Sequence, residues 1–253
     1  MEISIKRDGL TLRGDMRKPD LEKCPVAIIF HGLMSSRTVD DANMFDMIAD
    51  KCVERGIAAV KFDFNGHGDS DGEFCDMNVY SEILDAAKVL DYVRSLPFVT
   101  DIYIAGHSQG ALVGGMLAGY YCEKVKKLAM LAPAATIKDD ALIVSCFGTP
   151  YDRVNVPDYC PMKNVRGEHF DLGGLYFRIA RTLPIYETTS MFKGKTLIVH
   201  GTADAAVGVV GAQRYTECMP NAELVLIEGE EHGFNKFSLD RVTTMVADFF
   251  AEE

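Results

Sequence analysis

The apolar run at residues 102–105 breaks at Gly106-His107-Ser108-Gln109-Gly110 and resumes as a helical pattern of small residues over 111–120. Strand, sharp turn and helix in immediate succession leave little freedom at the apex. Such a turn forces Ser108 into a strained backbone conformation, and the residues two away must lack a Cβ that would clash. In return the serine hydroxyl is held clear of a sheet edge, at a helix N-terminus whose free N–H groups favour developing negative charge.

The rest of the chain supplies the sheet that this turn needs. Residues 2–7 and 10–17 alternate apolar and polar about Asp8-Gly9, which predicts an antiparallel hairpin. Continuous apolar runs at 24–30, 57–62, 102–105 and 128–131 suit strands buried on both faces. Helical spacing appears at 40–55, ending at Gly56, and at 83–95, closed by Pro97. After a break the rhythm returns with a strand at 195–201, a helix near 209–218, a strand at 223–227 and a last helix from Leu239 to about Phe250. This alternation predicts an α/β fold, a mostly parallel sheet covered by helices on both faces.

Between 133 and 190 the pattern fails. Five of the nine prolines lie between Pro133 and Pro184, and tyrosines stand at 151, 159, 176 and 186. An unstructured loop of that length is unusual in a compact domain. The segment reads as an inserted cap with short elements of its own, so that 1–132 and 191–253 form the core and 133–190 the cap.

The formal net charge is −11, from 26 basic and 37 acidic side chains, which argues against binding a phosphate backbone. No stretch has the apolar length of a bilayer span, and the first residues lack the apolar region of a signal peptide. Seven scattered cysteines with no CxxC pair fit reduced thiols in a cytoplasmic protein. Motifs for zinc, calcium, nucleotide phosphate and dinucleotide binding are missing, and no cofactor is expected.

A serine hydroxyl needs a base to take its proton. In sheets of this kind the chain order is serine, then Asp or Glu, then His. Asp204 follows the strand that ends at His200-Gly201, and His232 follows the last strand in Glu230-Glu231-His232-Gly233. All three candidates therefore lie just past the C-terminal ends of strands, the edge where sites in open α/β sheets form. His31, His67, His107 and His200 read as local hydrogen-bonders, His169 as exposed, and Glu228, Glu230 and Glu231 as a solvated loop face. The N–H of Gln109 and that of Leu33, in His31-Gly32-Leu33, are the expected donors to an oxyanion.

These residues carry a resemblance. The segments 26–32, 62–70, 105–110, 132–136, 176–180 with 183–186, 199–202 and 231–232 resemble the α/β-hydrolases, and within them the bacterial cinnamoyl (feruloyl) esterases. The resemblance implies Ser108, Asp204 and His232 as a catalytic triad, with Leu33 and Gln109 as the oxyanion hole. It implies a cap shaped for an aromatic acyl group, with Asp140 and Tyr176 at positions that reach phenolic hydroxyls and Phe147 where a polar side chain is usual. A serine carboxylesterase acting on small hydroxycinnamate esters is the expectation, with neither nucleic acid nor membrane as partner; a homodimer is compatible with it. Its rivals are a short-chain carboxylesterase, a monoacylglycerol lipase, an acyl-peptide hydrolase, and a non-catalytic relic that only binds.

Overall fold

The structure is a computed structural model, described for residues 1–38, 43–142, 145–146, 149–150, 152, 154–164 and 167–252. The hairpin β1 (Glu2–Arg7) and β2 (Leu10–Arg17) turns at Asp8-Gly9. There follow β3 (Cys24–Phe30), α1 (Met44–Glu54), β4 (Ala58–Phe62), α2 (Val79–Ser95), β5 (Val99–His107), α3 (Gln109–Tyr120) and β6 (Lys127–Leu131). Beyond the insertion come β11 (Lys195–Gly201), α7 (Val210–Cys218), β12 (Ala222–Ile227) and α8 (Leu239–Ala251).

These strands form one eight-stranded sheet in the order β1-β2-β4-β3-β5-β6-β11-β12. β1, β2 and β4 pair antiparallel; from β4 to β12 every pairing is parallel. The chain moves outward from β3 to β4 and then crosses back to β5. The C-terminal ends of β3 and β5 therefore flank a reversal in strand order, where open α/β sheets leave a crevice.

Alternation along the strands explains the two layers. Val26, Ile28 and Phe30 of β3, with Ile102 and Ile104 of β5, pack under α2 and α3. Ala27 and Ile29, with Tyr103 and Ala105, face α1 and α8. Each fully buried large apolar side chain contributes about 1.5–3 kcal/mol. α3 is buried from Gln109 to Gly119, as a helix apolar all round must be. α2 begins a turn before the expected residue 83, because Asn78 and Ser81 form a reciprocal capping box. Its buried Glu82 and Asp85 interrupt the apolar period that marks the rest of the helix.

Between β6 and β11 the described elements stay out of the main sheet. They are α4 (Ile137–Leu142), the two-residue strands β7 (Ser145–Cys146) and β8 (Thr149–Pro150), the antiparallel pair β9 (Tyr159–Lys163) and β10 (His169–Gly173), α5 (Gly174–Ala180) and α6 (Ile185–Thr189). Phe170 of β10 packs on Phe74, ring centroids 4.9 Å apart, and α6 lies along α3. Leu172, Tyr176 and Phe177 join the main core. Among the described residues no helix is long and apolar enough to cross a membrane.

Candidate active site

The sharp turn between β5 and α3 is built as its sequence requires. Ser108 has φ 55° and ψ −122°, a conformation that L-residues rarely adopt. A Cβ on Gly106 would lie 2.4 Å from the Gly110 carbonyl oxygen, and one on Gly110 would lie 2.3 Å from that of His31. The strained residue is held from both sides. Its N–H donates to the Leu131 carbonyl (2.9 Å), and its own carbonyl accepts from Ala111, Leu112 and Ala134.

Asp204 and His232 reach this turn from the ends of β11 and β12. The two loops are tied together: Ala203 N–H donates to the Glu230 carbonyl (2.9 Å), and a side chain on Gly201 would strike that same oxygen. His232 Nδ1 lies 2.8 Å from Asp204 Oδ2, whose side chain is fully buried. Asp204 Oδ1 accepts the N–H groups of Ala206 and Val207. Burial opposes its charge, but hydrogen bonds from His200, His232 and the Val207 N–H hold the carboxyl well below the usual range.

The His232 loop is docked beside Ser108 by its neighbour. His107 Nε2–H donates to the His232 carbonyl at 2.8 Å, and the two rings lie 4.7 Å apart. Burial, with His232 close by, pushes His107 down to about 3, so it stays neutral and keeps the donor on Nε2. No hydrogen bond joins the Ser108 and His232 side chains; in sites of this kind such contacts commonly form or tighten only in the substrate complex.

The loop after β3 completes the crevice. His31 Nδ1–H donates to the Gly32 carbonyl (2.8 Å), and its Nε2 accepts the Phe64 N–H (3.0 Å). Gly32 is so close that a Cβ there would lie 3.0 Å from that of Ser108. The next residues are Leu33, then Met34 at φ 55°. Among the described residues the N–H groups of Leu33 and Gln109 have no acceptor, which leaves two donors on the loop and helix start that flank the serine. Strain gathers at this edge: of the five non-glycine residues at positive φ among the described ones, Met34, Ser108, Ala132 and Phe234 follow β3, β5, β6 and β12.

Comparison with known proteins gives the lineage. Residues 22–156 match the family described as serine aminopeptidase, S33, and residues 179–252 a family described as TAP-like protein. Est1E of Butyrivibrio proteoclasticus, in a structure with bound ferulic acid, is 33% identical, with 98% of this chain and 97% of that one covered at a TM-score of 0.90.

The chain is an α/β-hydrolase of the serine aminopeptidase S33 family.

A second Est1E structure superposes with a TM-score of 0.86 over 98% of this hydrolase and 97% of that chain, at 30% identity. A Pyrococcus furiosus esterase, 20% identical over 99% of this chain and 91% of its own, shares the fold at 0.73. A serine hydrolase-like protein of Dictyostelium discoideum is 34% identical over 95 residues, 37% of the hydrolase but only 25% of that protein's length.

The remaining candidates fare unevenly. Asp140, in α4 just beyond β6, is half-buried and accepts from Thr136 Oγ1 at 3.1 Å. Burial, against that hydrogen bond and reinforced by Asp139, raises its carboxyl above the ordinary value. Tyr176 is fully buried, and its hydroxyl donates to the side-chain oxygen of Gln109. Phe147 lies outside the described residues.

His200 is the local hydrogen-bonder expected of it, and Glu230 differs from its expected place. His200 is fully buried, with Nε2 3.1 Å from the Val207 carbonyl and 3.2 Å from Asp204 Oδ2. Its i, i+4 spacing to Asp204, across a strand end, was the available signal. Glu230 does not lie on a solvated face: it is buried and accepts from Ser238 Oγ and the N–H groups of Lys236 and Phe237. It anchors the loop that leads into α8 by accepting those N–H groups and the hydroxyl of Ser238, the residue before the helix. Among the described residues no three His, Cys, Asp or Glu side chains are grouped as a metal site requires.

Proposed function

We propose that this hydrolase is a serine carboxylesterase that cleaves hydroxycinnamate-type esters through an acyl-enzyme. The observation that carries the chemistry is the 2.8 Å contact of His232 Nδ1 with buried Asp204, docked beside the strained Ser108. Ser108 Oγ attacks the ester carbonyl while His232 Nε2 takes its proton. Asp204 holds the imidazole in the tautomer with Nδ1–H and stabilises the imidazolium. The Gln109 and Leu33 N–H groups receive the oxyanion. His232 then returns the proton to the departing alcohol, and water, deprotonated by the same imidazole, releases the acid.

The substrate class rests on the 33% identity to a protein whose structure holds ferulic acid. In this reading residues 133–190 cap the acyl site, and Asp140, with its raised carboxyl, meets the phenolic hydroxyl. The cytoplasmic location belongs to the same proposal.

A second reading follows from the family's description as an aminopeptidase: the same acyl transfer applied to a peptide or acyl-peptide bond. Steady-state kinetics on methyl ferulate, p-nitrophenyl butyrate, a monoacylglycerol and an aminoacyl p-nitroanilide separate the two. The proposal expects the highest kcat/KM on methyl ferulate. Equal or better turnover of the aliphatic esters or the anilide would overturn it.

A further inference from the structure

Directly behind Ser108, three buried polar side chains form a chain that the acyl transfer itself does not use. The Tyr176 hydroxyl, on α5 of the insertion, donates to Gln109 Oε1, and Gln109 Nε2 donates to Glu82 Oε2 on α2 at 2.7 Å. Tyr176 and Gln109 are fully buried and Glu82 is 1% exposed. The carboxamide is thereby gripped at both ends, its oxygen by a donor and its nitrogen by an acceptor, so only one orientation satisfies it. We infer that Tyr176 and Glu82 are positioning residues that fix the Gln109 peptide, and with it the N–H that receives the oxyanion.

The geometry of the turn explains why such a grip is needed. Gln109 is the first residue of α3, and its N–H is aimed by the peptide plane that follows Ser108. Ser108 is strained, and relaxing its φ and ψ would rotate that plane and swing the N–H away from the reacting carbonyl. With its side chain fixed at both ends, Gln109 cannot follow such a rotation without breaking two hydrogen bonds between fully buried groups. Glu82 suits the anchoring role. Burial, against the Gln109 hydrogen bond and with Asp85 near, holds its carboxyl well above the ordinary range, while Oε2 still accepts. Asp85, one turn on, takes Arg7 Nε (2.6 Å) and the Asn65 N–H (2.8 Å), which ties this part of α2 to the hairpin and to the loop after β4. The insertion thus contributes to the oxyanion donor through Tyr176, apart from any contact with substrate.

This inference rests on the proposed serine acyl transfer and departs from the expectation that Tyr176 meets a substrate phenol. Tyr176→Phe removes one hydroxyl from a fully buried position. The test is the rate of labelling by a fluorophosphonate, together with kcat and KM on methyl ferulate, methyl cinnamate and p-nitrophenyl butyrate. The expected result is a fall of about 10–100-fold in labelling rate and in kcat on all three esters, with KM unchanged. Glu82→Gln, which keeps the acceptor, should stay within about threefold of the parent, whereas Glu82→Leu and Gln109→Met should fall as Tyr176→Phe does. Gln109→Met retains the backbone donor and supplies the answer if Tyr176→Phe fails to fold. An effect confined to KM for methyl ferulate would make Tyr176 a substrate contact and overturn the inference; so would unchanged kcat in Gln109→Met. Failure of the parent protein to label at all would refute the acyl-transfer reading instead.

Discussion

On the flank of Ser108 that faces β11 and β12, the close side chains are those of His107, His200, Asp204 and His232, with Asp204 bonded to both His200 and His232. On the flank that faces α2 and the insertion, the close side chains are Gln109, Glu82 and Tyr176, all buried and joined in one hydrogen-bonded chain. The first flank leaves His232 partly exposed, with 26% of its side chain accessible, as the proposed proton exchange with substrate and water requires. The second flank is buried away from solvent. In the proposed acyl transfer the work is divided between His232, which changes state, and a buried frame that holds Gln109 in place.

That contrast breaks most visibly when the proton-carrying flank is removed. Ser108→Ala and His232→Ala should each lower kcat by about 10⁴–10⁶-fold, and the double variant should be little worse than either, because the pair acts as a unit. Additive losses in that cycle would mean that the residues work separately. Asp204→Asn keeps the shape of the flank but offers His232 the wrong hydrogen-bond partner, and should cost about 10⁴-fold in kcat with KM little changed.

Stability against pH sharpens the comparison at the next scale. Burial, with Arg37 near, lowers His31 to about 4; burial, with His31 near, lowers His67 to about 3, as it does His107 beside His232. Each lies below its ordinary 6.5, so the unfolded chain binds more protons between that value and the folded one. Stability is therefore complete above about pH 6.5 and falls as the pH drops through the window, by at most about 1.4 kcal/mol per pH unit for each histidine. Asp204, held low in the fold, adds a loss of the same sign only below the ordinary carboxylate range. Urea midpoints at pH 7.5, 6 and 5 should decline in that order; a flat series would mean that these rings are charged or exposed in the fold. The smallest effect belongs to the insertion. Asp140→Asn should raise KM for methyl ferulate a few-fold, within the roughly 1 kcal/mol of one net hydrogen bond, and leave methyl cinnamate and butyrate esters alone. An equal change on all three would remove Asp140 from phenol recognition.

Legibility in the sequence followed the same division. The sheet could be read because its strands are continuous apolar runs with alternating faces, and the positions of Ser108, Asp204 and His232 because each follows such a run. The framing flank could not. Glu82 lies just before the helical spacing read at 83–95, and nothing local tells that both ends of the Gln109 carboxamide are hydrogen-bonded. Tyr176 sits in a seven-residue helix, too short for a period to reveal its buried face, and its hydrogen bond spans 67 residues. Glu230 was hidden in the same way, since its role depends on where α8 begins after a loop. Local pattern reports which residues stand at strand ends. It does not report which buried polar groups satisfy one another, because that depends on packing between distant segments.

The convergence of positions 108, 204 and 232 on one activated hydroxyl is tested most directly by locating a fluorophosphonate adduct by peptide mass mapping in the parent and in His232→Ala. One stoichiometric adduct on Ser108 in the parent, with labelling slowed at least about 1,000-fold in the variant, is the predicted result. An adduct on any other residue, or Ser108 labelled equally fast without His232, would contradict it.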